Sequence, residues 1–138
     1  MRAPYTQLYL HLVWATWNRW PFITPEIRPN VYAGIQGQAK RAKVDLIALG
    51  GVEDHVHALV RFPTTITVAD LVRQLKGGTS HLMTHEVQRG ETFRWQGGYG
   101  AFTVSKSALP RARDYVLNQE THHANGTLYR ELEATSEP

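Results

Sequence analysis

The chain has 138 residues, a formal net charge of +3 at pH 7 and no cysteine. This length predicts one domain over residues 1–138, and the lack of cysteine excludes a disulfide framework, a thiolate zinc site and a cysteine nucleophile. No apolar run approaches the ~20 residues of a membrane span, so we expect no membrane partner. A cysteine-free chain also fits the reducing cytoplasm, where we expect the protein to be.

The first half of the chain predicts the order β-α-β-β. Residues 5–15 alternate in polarity and are rich in aromatic and branched side chains, which predicts a strand. Residues 26–43 carry apolar side chains at helical spacing. Residues 44–53 and 55–62 predict two further strands, the second ending at a proline.

The second half continues as α-β-α. Residues 68–88 predict a helix, and residues 89–100 form a loop rich in glycine and aromatic side chains. Residues 101–105 predict a fourth strand and residues 107–123 a last helix. Roughly residues 124–138 form a polar tail that we expect to fray.

This order predicts an α+β fold of the ferredoxin-like, or RRM-like, split β-α-β type. Such a fold has one antiparallel sheet with helices on one face. The last helix, which carries Tyr115, is an addition to that plan. The sheet face away from the first two helices is then left for a ligand, a partner or water.

Two glycine pairs interrupt these patterns. Gly50-Gly51 lies in the second strand and indicates a bulge or a close backbone approach. Gly77-Gly78 lies in the second long helix, where we expect a kink or a loosened turn.

The stretch "EDHVHALVRFP" places two histidines one residue apart on a strand. Because side chains alternate across a strand, His55 and His57 share the face that Val56 does not, about 7 Å apart along the strand. Two imidazoles on one face can ligate a divalent metal, although the same pattern also fits two polar residues on a half-exposed strand. Glu53 and Asp54, which precede the pair, could orient a ligating imidazole or belong to an ordinary turn, and His11 on the first strand could do the same or be an ordinary sheet residue.

The last predicted helix offers further candidates for chemistry. Tyr115 and Gln119 are four residues apart, so they share one helical face. A tyrosine oxygen can attack a phosphate, and the neutral oxygen of Gln119 suits a hard ion such as Mg²⁺ or Mn²⁺. A helix tyrosine is also commonly a packing residue.

Five segments, in this order, resemble the single-tyrosine transposases of the HUH endonuclease superfamily. These proteins serve hairpin-ended bacterial insertion sequences and include the relatives associated with repetitive extragenic palindromes. The matching segments are "LHLVWATWNRWPFIT", "EDHVHALVRFP", "VADLVRQLKGGTSHLM", "FRWQGGYGAFTVSKS" and "DYVLNQETHH".

The resemblance implies a role for each of four residues. His55, His57 and Gln119 would hold the metal, and Tyr115 would be the nucleophile. The family cleaves single-stranded DNA to a 5′-phosphotyrosine and a free 3′-hydroxyl, rejoins ends by the reverse step, and needs no nucleotide cofactor. The resemblance also implies a homodimer whose active sites are often shared between subunits. Gly78 departs from the usual polar and basic cluster of the family, so hairpin preference is open.

Basic and aromatic side chains could hold the DNA. Arg73 and Lys76, one turn apart, and Arg94 are candidates for phosphate contacts, while Trp95 and Tyr99 could stack on unpaired bases. The alternatives are a solvated surface for the charges and a core position for the aromatics.

The sequence also allows predictions for the remaining histidines and leaves two alternative functions open. His122 and His123 are expected at the surface, and a second metal at His81 and His85 is a minor alternative. A non-catalytic RNA- or DNA-binding module of RRM-like fold is the main alternative function. A small-molecule metalloenzyme is a further one, which would need a carboxylate ligand and an enclosed pocket.

Overall fold

The computed structural model describes residues 2–88 and 91–136 as a four-stranded sheet with helices on both faces. The sheet order is β2-β3-β1-β4 and every neighbouring pair is antiparallel. The elements are β1 (Tyr9–Ala15), α1 (Arg28–Arg41), β2 (Asp45–Val52), β3 (His55–Arg61), α2 (Val68–Leu82), β4 (Gly100–Val104), α3 (Leu109–Leu117) and α4 (Gln119–Asn125). This confirms the predicted α+β, ferredoxin-like arrangement with its additional C-terminal helix.

The main core lies between the sheet and the helices α1 and α2. Leu12 and Trp14 from β1 and Val56 and Ala58 from β3 are fully buried there, as alternation predicts. The helices contribute Val31, Ile35, Leu71, Val72 and Leu75 to the same core. Because this face is apolar, a shift of one residue in register would expose the whole set, and the sheet register is therefore fixed.

The opposite face of the sheet carries the polar side chains of interest. His11, His55 and His57 are buried on this face, where Leu59 packs with Val116 of α3. The C-terminal part of the chain covers it: α3, then α4, then residues 127–136, which we call the strap. This face is therefore occupied by the chain itself rather than left open.

The strap corrects the expectation of a fraying tail. It contains a 3-10 turn, Arg130–Glu133, and the backbone of Ala134 lies so close to Gly100 that a Cβ there would come within 2.0 Å of the Ala134 carbonyl oxygen. A polar segment can pack in this way because its carboxylate and backbone groups face the histidines rather than apolar side chains.

The predicted last helix is in fact two helices. Asn118 leaves the helical conformation (φ −110°, ψ 31°) and separates α3 from α4. Its side-chain Nδ2 donates to the carbonyl oxygen of Asp114 at 2.7 Å, which competes with the regular backbone ladder.

The helix α2 runs unbroken through Gly77-Gly78, so the expected kink is absent there. Gly78 serves close packing instead, because a Cβ on it would come within 2.2 Å of Gln38 on α1, whereas a Cβ on Gly77 would meet nothing within 4 Å. In β2 the register shift lies between Leu46 and Ala48, and not at Gly50-Gly51. Within residues 2–88 and 91–136, no helix combines the length and the apolarity that crossing a membrane requires.

Candidate active site

The two histidines of β3 form the floor of the site. His57 is fully buried and His55 is 2% exposed, and their ring centroids are 5.0 Å apart. His57 Nε2 is shielded from solvent. A buried nitrogen needs a polar partner, and a carboxylate or a metal ion can be one.

The other nitrogen of each histidine is held by a neighbour. His57 Nδ1 lies 2.7 Å from His11 Nε2, and His55 Nδ1 lies 2.7 Å from Asp54 Oδ1. The Asp54 carboxylate accepts from His55 Nδ1–H, which leaves His55 Nε2 free to ligate, and the contact with His11 orients the His57 ring. Asp54 and His11, two of the residues expected to orient the histidine pair, are therefore in contact with it.

Tyr115 on α3 lies directly over the histidine pair of the same chain. Its ring centroid is 5.8 Å from that of His57 and 6.1 Å from that of His11. The close approach of α3 depends on Gly50, because a Cβ there would come within 1.9 Å of the carbonyl oxygen of Val116. The prediction of a close backbone approach at Gly50 is confirmed.

The strap covers Tyr115. The Tyr129 ring stacks on the Tyr115 ring at 4.6 Å with an interplanar angle of 8°, and the Tyr129 backbone N–H donates to the Tyr115 hydroxyl at 3.1 Å. Tyr115 is only 2% exposed as a result. Its hydroxyl must be uncovered before it can meet a phosphate.

Gln119 reaches the site from the first turn of α4. Its Nε2 donates to the Tyr115 carbonyl oxygen at 3.1 Å, which leaves Oε1 to accept from His123 Nε2 at 3.1 Å. His123 Nε2 in turn lies 3.2 Å from His55 Nε2. The expectation that His123 is a surface residue is therefore wrong.

Glu133 of the strap is a member of the site that the sequence did not indicate. Its Oε2 lies 2.5 Å from His57 Nε2 and 3.8 Å from His55 Nε2, and its Oε1 lies 3.0 Å from His123 Nε2. The donor atoms of His55, His57 and Glu133 all lie within 4.8 Å of one another. This spacing and the donor types fit one divalent ion.

Burial sets the protonation states of the site. Desolvation lowers the pKa of His57, and it lowers the pKa of His11 to about 3, so both imidazoles are neutral at pH 7. Burial raises the pKa of the Tyr115 hydroxyl, which the Tyr129 N–H partly offsets. Burial alone would raise the pKa of Glu133, but the nearby imidazoles of His57, His55 and His123 hold it below its usual range.

A positive charge lies at the edge of the site. Arg19 Nη1 is 3.4 Å from His55 Nδ1 and 3.8 Å from Asp54 Oδ1. Arg19 and its neighbour Asn18 both have positive φ, 56° and 52°. Two such residues in succession are uncommon outside glycine and hold the guanidinium beside the histidine pair.

The expected DNA-binding residues lie together on another surface. Arg73, Lys76, Arg94, Trp95 and Tyr99 line one groove between α2 and the loop before β4. Trp95 is 8% exposed and donates its Nε1–H to the Lys76 carbonyl oxygen, and the Lys76 ammonium donates to the carbonyls of two loop residues.

The remaining histidines lie apart from this centre or at its edge. His81 and His85 have ring centroids 4.4 Å apart on an exposed surface. His122 packs its ring against Tyr115 and is half-buried.

The sequence could have indicated one of the two unexpected site residues, His123, but not the other, Glu133. His123 follows Gln119 by four residues, as Gln119 follows Tyr115, so all three share one face, and this signal was available. Glu133 lies in the mixed run "RELE", which has neither helical nor strand periodicity, so no sequence pattern indicates a role for it.

Comparison with known proteins gives a consistent picture. The sequence profile described as "Transposase IS200 like" matches residues 4–119. The ISDra2 transposase TnpA of Deinococcus radiodurans is 24% identical over 118 residues, which cover 82% of this chain and 84% of that protein.

Two solved structures are similar in fold. A presumed transposase of Deinococcus radiodurans R1 is 25% identical with a TM-score of 0.65, covering 86% of this chain and 95% of that one. A REP-associated tyrosine transposase bound to a REP hairpin is 14% identical with a TM-score of 0.66, covering 93% of this chain and 74% of that one. The last likeness concerns the fold alone.

Proposed function

The chain belongs to the IS200-like transposase family, and from this premise we propose that it is a metal-dependent endonuclease and strand transferase acting on single-stranded DNA. The Tyr115 hydroxyl attacks a backbone phosphate. The bond from Tyr115 Oη to phosphorus forms and the bond from phosphorus to O3′ breaks. Tyr115 loses its phenolic proton and the O3′ oxygen gains a proton. The products are a 5′-phosphotyrosine and a free 3′-hydroxyl, and the reverse step rejoins strands without a nucleotide cofactor.

The observation that carries this proposal is the meeting of four side chains within one chain. The Tyr115 ring lies 5.8 Å from the His57 ring, and Gln119 connects through His123 to His55. A binding module of RRM-like fold gives no joint reason for a buried tyrosine, a buried glutamine and two buried histidines at one point.

We propose His55, His57 and Gln119 as the residues that hold the divalent ion, Mg²⁺ or Mn²⁺. The buried Nε2 of His57 and the neutral oxygen of Gln119 support this set. The ion would polarise a phosphoryl oxygen and offset the charge that develops on it. His11 and Asp54 orient the two imidazoles through Nδ1.

The protein must open before it reacts with DNA. The Tyr115 hydroxyl accepts a hydrogen bond from the Tyr129 N–H, and the strap covers His57. Displacing the strap exposes both together, and Arg19 at the rim is placed to meet a phosphate beside them.

We propose that the groove beside α2 binds part of the DNA outside the reacting phosphate. We propose that Arg73 and Arg94 contact phosphates and that Tyr99, which is half-buried, stacks on an unpaired base. Trp95 supports the groove from below, and Lys76 pins the loop through its carbonyl contacts. Such contacts suit the hairpin ends of an insertion sequence.

A second copy of the chain is the proposed protein partner. Tyr115 and the histidine pair meet within one chain, which favours a homodimer whose two sites are each built from one subunit. Mixing Tyr115→Phe with His57→Ala protein should then give no covalent adduct. Recovery of adduct in the mixture would show that the tyrosine helix is exchanged between subunits.

A small-molecule metalloenzyme is the second candidate that an observation favours, because Glu133 supplies a carboxylate at the histidine pair. The two functions differ in their product. A transposase leaves protein covalently attached to DNA, whereas the metalloenzyme does not.

The test is covalent trapping. The protein is incubated with labelled single-stranded DNA from its own flanking ends and Mg²⁺ or Mn²⁺, and the adduct is read on a denaturing gel. We expect an adduct that disappears with chelator, with Tyr115→Phe and with His57→Ala, while Tyr32→Phe on α1, a matched control, keeps it. An undiminished adduct in Tyr115→Phe would overturn the nucleophile assignment.

A further inference from the structure

The strap brings a carboxylate onto the histidine pair, which a merely solvated tail would not do. The side chain of Glu133 is 16% exposed, although glutamate is among the residues least often buried. Both of its oxygens and His57 Nε2 are shielded from solvent, and Oε2 lies 2.5 Å from His57 Nε2. A carboxylate and an imidazole nitrogen therefore face one another in a buried space.

Their arrangement converges on one point. His57 Nε2, His55 Nε2 and His123 Nε2 lie 2.5, 3.8 and 3.0 Å from the nearer oxygen of Glu133. Atoms that share one ion with bonds of about 2.0–2.2 Å can lie no more than about 4.4 Å apart, and all three separations fall within that limit.

We propose that Glu133 is a ligand of the same divalent ion as His55 and His57, so that the ion ties the strap to the sheet. This rests on the proposed function in taking the histidine pair as ligands. It adds a closed state, in which a carboxylate of the chain occupies the position that a phosphate oxygen of DNA requires.

The donor set determines which ions favour closure. Two imidazoles and one carboxylate suit Mn²⁺ or Zn²⁺ better than Mg²⁺, which prefers oxygen ligands. Mg²⁺ should therefore hold the strap less firmly than Mn²⁺ does, although both serve a site built from His55, His57 and Gln119.

The experiment measures binding of MnCl₂ to the full, DNA-free chain by calorimetry. We expect Glu133→Gln to weaken binding by roughly 10- to 100-fold. Glu131→Gln is the matched control, because Glu131 lies in the same 3-10 turn and is exposed. It should bind Mn²⁺ as the unaltered chain does.

Hydrogen exchange gives a second readout that does not depend on activity. Adding Mn²⁺ should slow exchange in residues 127–136, including the Tyr129 amide that contacts Tyr115. In Glu133→Gln the same amides should be insensitive to Mn²⁺. Thermal melting of Glu133→Gln in chelator is the control for folding, and we expect a cooperative transition.

The outcomes separate the two proposals. Wild-type affinity in Glu133→Gln, or an equal loss in Glu131→Gln, overturns the ligand role of Glu133 and leaves the proposed function standing. Wild-type Mn²⁺ affinity in His57→Ala overturns the metal site itself, and the proposed function with it.

Discussion

Gly50 is the point where the sheet meets the helix that carries Tyr115, and a single added methyl group tests whether this contact places the proposed nucleophile. A Cβ at Gly50 would lie 1.9 Å from the Val116 carbonyl oxygen and 2.9 Å from its carbonyl carbon. Real Cβ contacts stay beyond 3.0 Å, and mostly beyond 3.4 Å, so α3 must retreat by about 1.1–1.5 Å. Gly50 pairs with His57 across the sheet, and Val116 follows Tyr115, so the retreat moves the two halves of the site apart.

The expected cost of Gly50→Ala differs between stability and chemistry. Overpacking of this kind costs about 1–3 kcal/mol, out of the 5–15 kcal/mol typical of a domain, so the variant still folds. A misplacement of about 1 Å at a reacting atom can lower a rate roughly 100-fold. We therefore expect a large loss of adduct formation in a protein that melts only somewhat earlier.

The assay pairs the rate of covalent adduct formation with thermal melting. Gly37→Ala on α1 is the matched control, because no described atom lies within 4 Å of its added Cβ. This control should keep the wild-type rate and gain about 0.5–1 kcal/mol of stability. If Gly50→Ala melts earlier but forms adduct at the wild-type rate, the placement of Tyr115 does not depend on this contact.

Three further outcomes follow from the structure. Burial lowers the pKa of His11 from 6.5 to about 3, so the unfolded chain binds this proton before the folded chain does as pH falls. The free energy of unfolding of the metal-free protein should therefore fall by on the order of 2 kcal/mol between pH 6.5 and 5. Urea melts of His11→Gln should show a smaller fall over the same range. Tyr129→Ala removes the ring stacked on Tyr115, which should cost about 0.5–1.5 kcal/mol in melts yet speed adduct formation, and a slower rate would contradict the covering role of the strap. Arg73→Ala should reduce the slope of log affinity against log salt for single-stranded DNA by about 0.7, whereas Arg41→Ala, exposed at the last residue of α1, should leave it unchanged.

The two faces of the sheet could be predicted because each strand obeys a simple alternation. Leu12 and Trp14 point to one face and His11 to the other, and the same holds for Val56 between the two histidines of β3. Since α1 and α2 are amphipathic, the apolar face had to meet them, and the histidines had to lie on the other. The four-residue spacing of Tyr115 and Gln119 then indicated one reactive surface.

The break at Asn118 could not be read in the same way. The stretch from 107 to 123 contains proline only in its first turn and no glycine, so its periodicity predicts one helix. The break results from a side chain of ordinary type that bonds the Asp114 carbonyl. Asparagine forms such bonds in many positions and does so at helix ends only where the tertiary structure lets the chain turn.

The contribution of Glu133 required the tertiary structure. Its segment, "LYRELEAT", has neither the spacing of a helix nor the alternation of a strand, and charges in such a run are normally solvated. The family profile ends at residue 119, before the strap begins, so family membership does not indicate Glu133 either. What places Glu133 is a set of backbone contacts, with the Ala134 carbonyl against Gly100 and the Tyr129 N–H on Tyr115. These contacts join residues that are far apart in the chain. Whether the strap lies over the site is therefore decided by these contacts, and not by the sheet and helices beneath it.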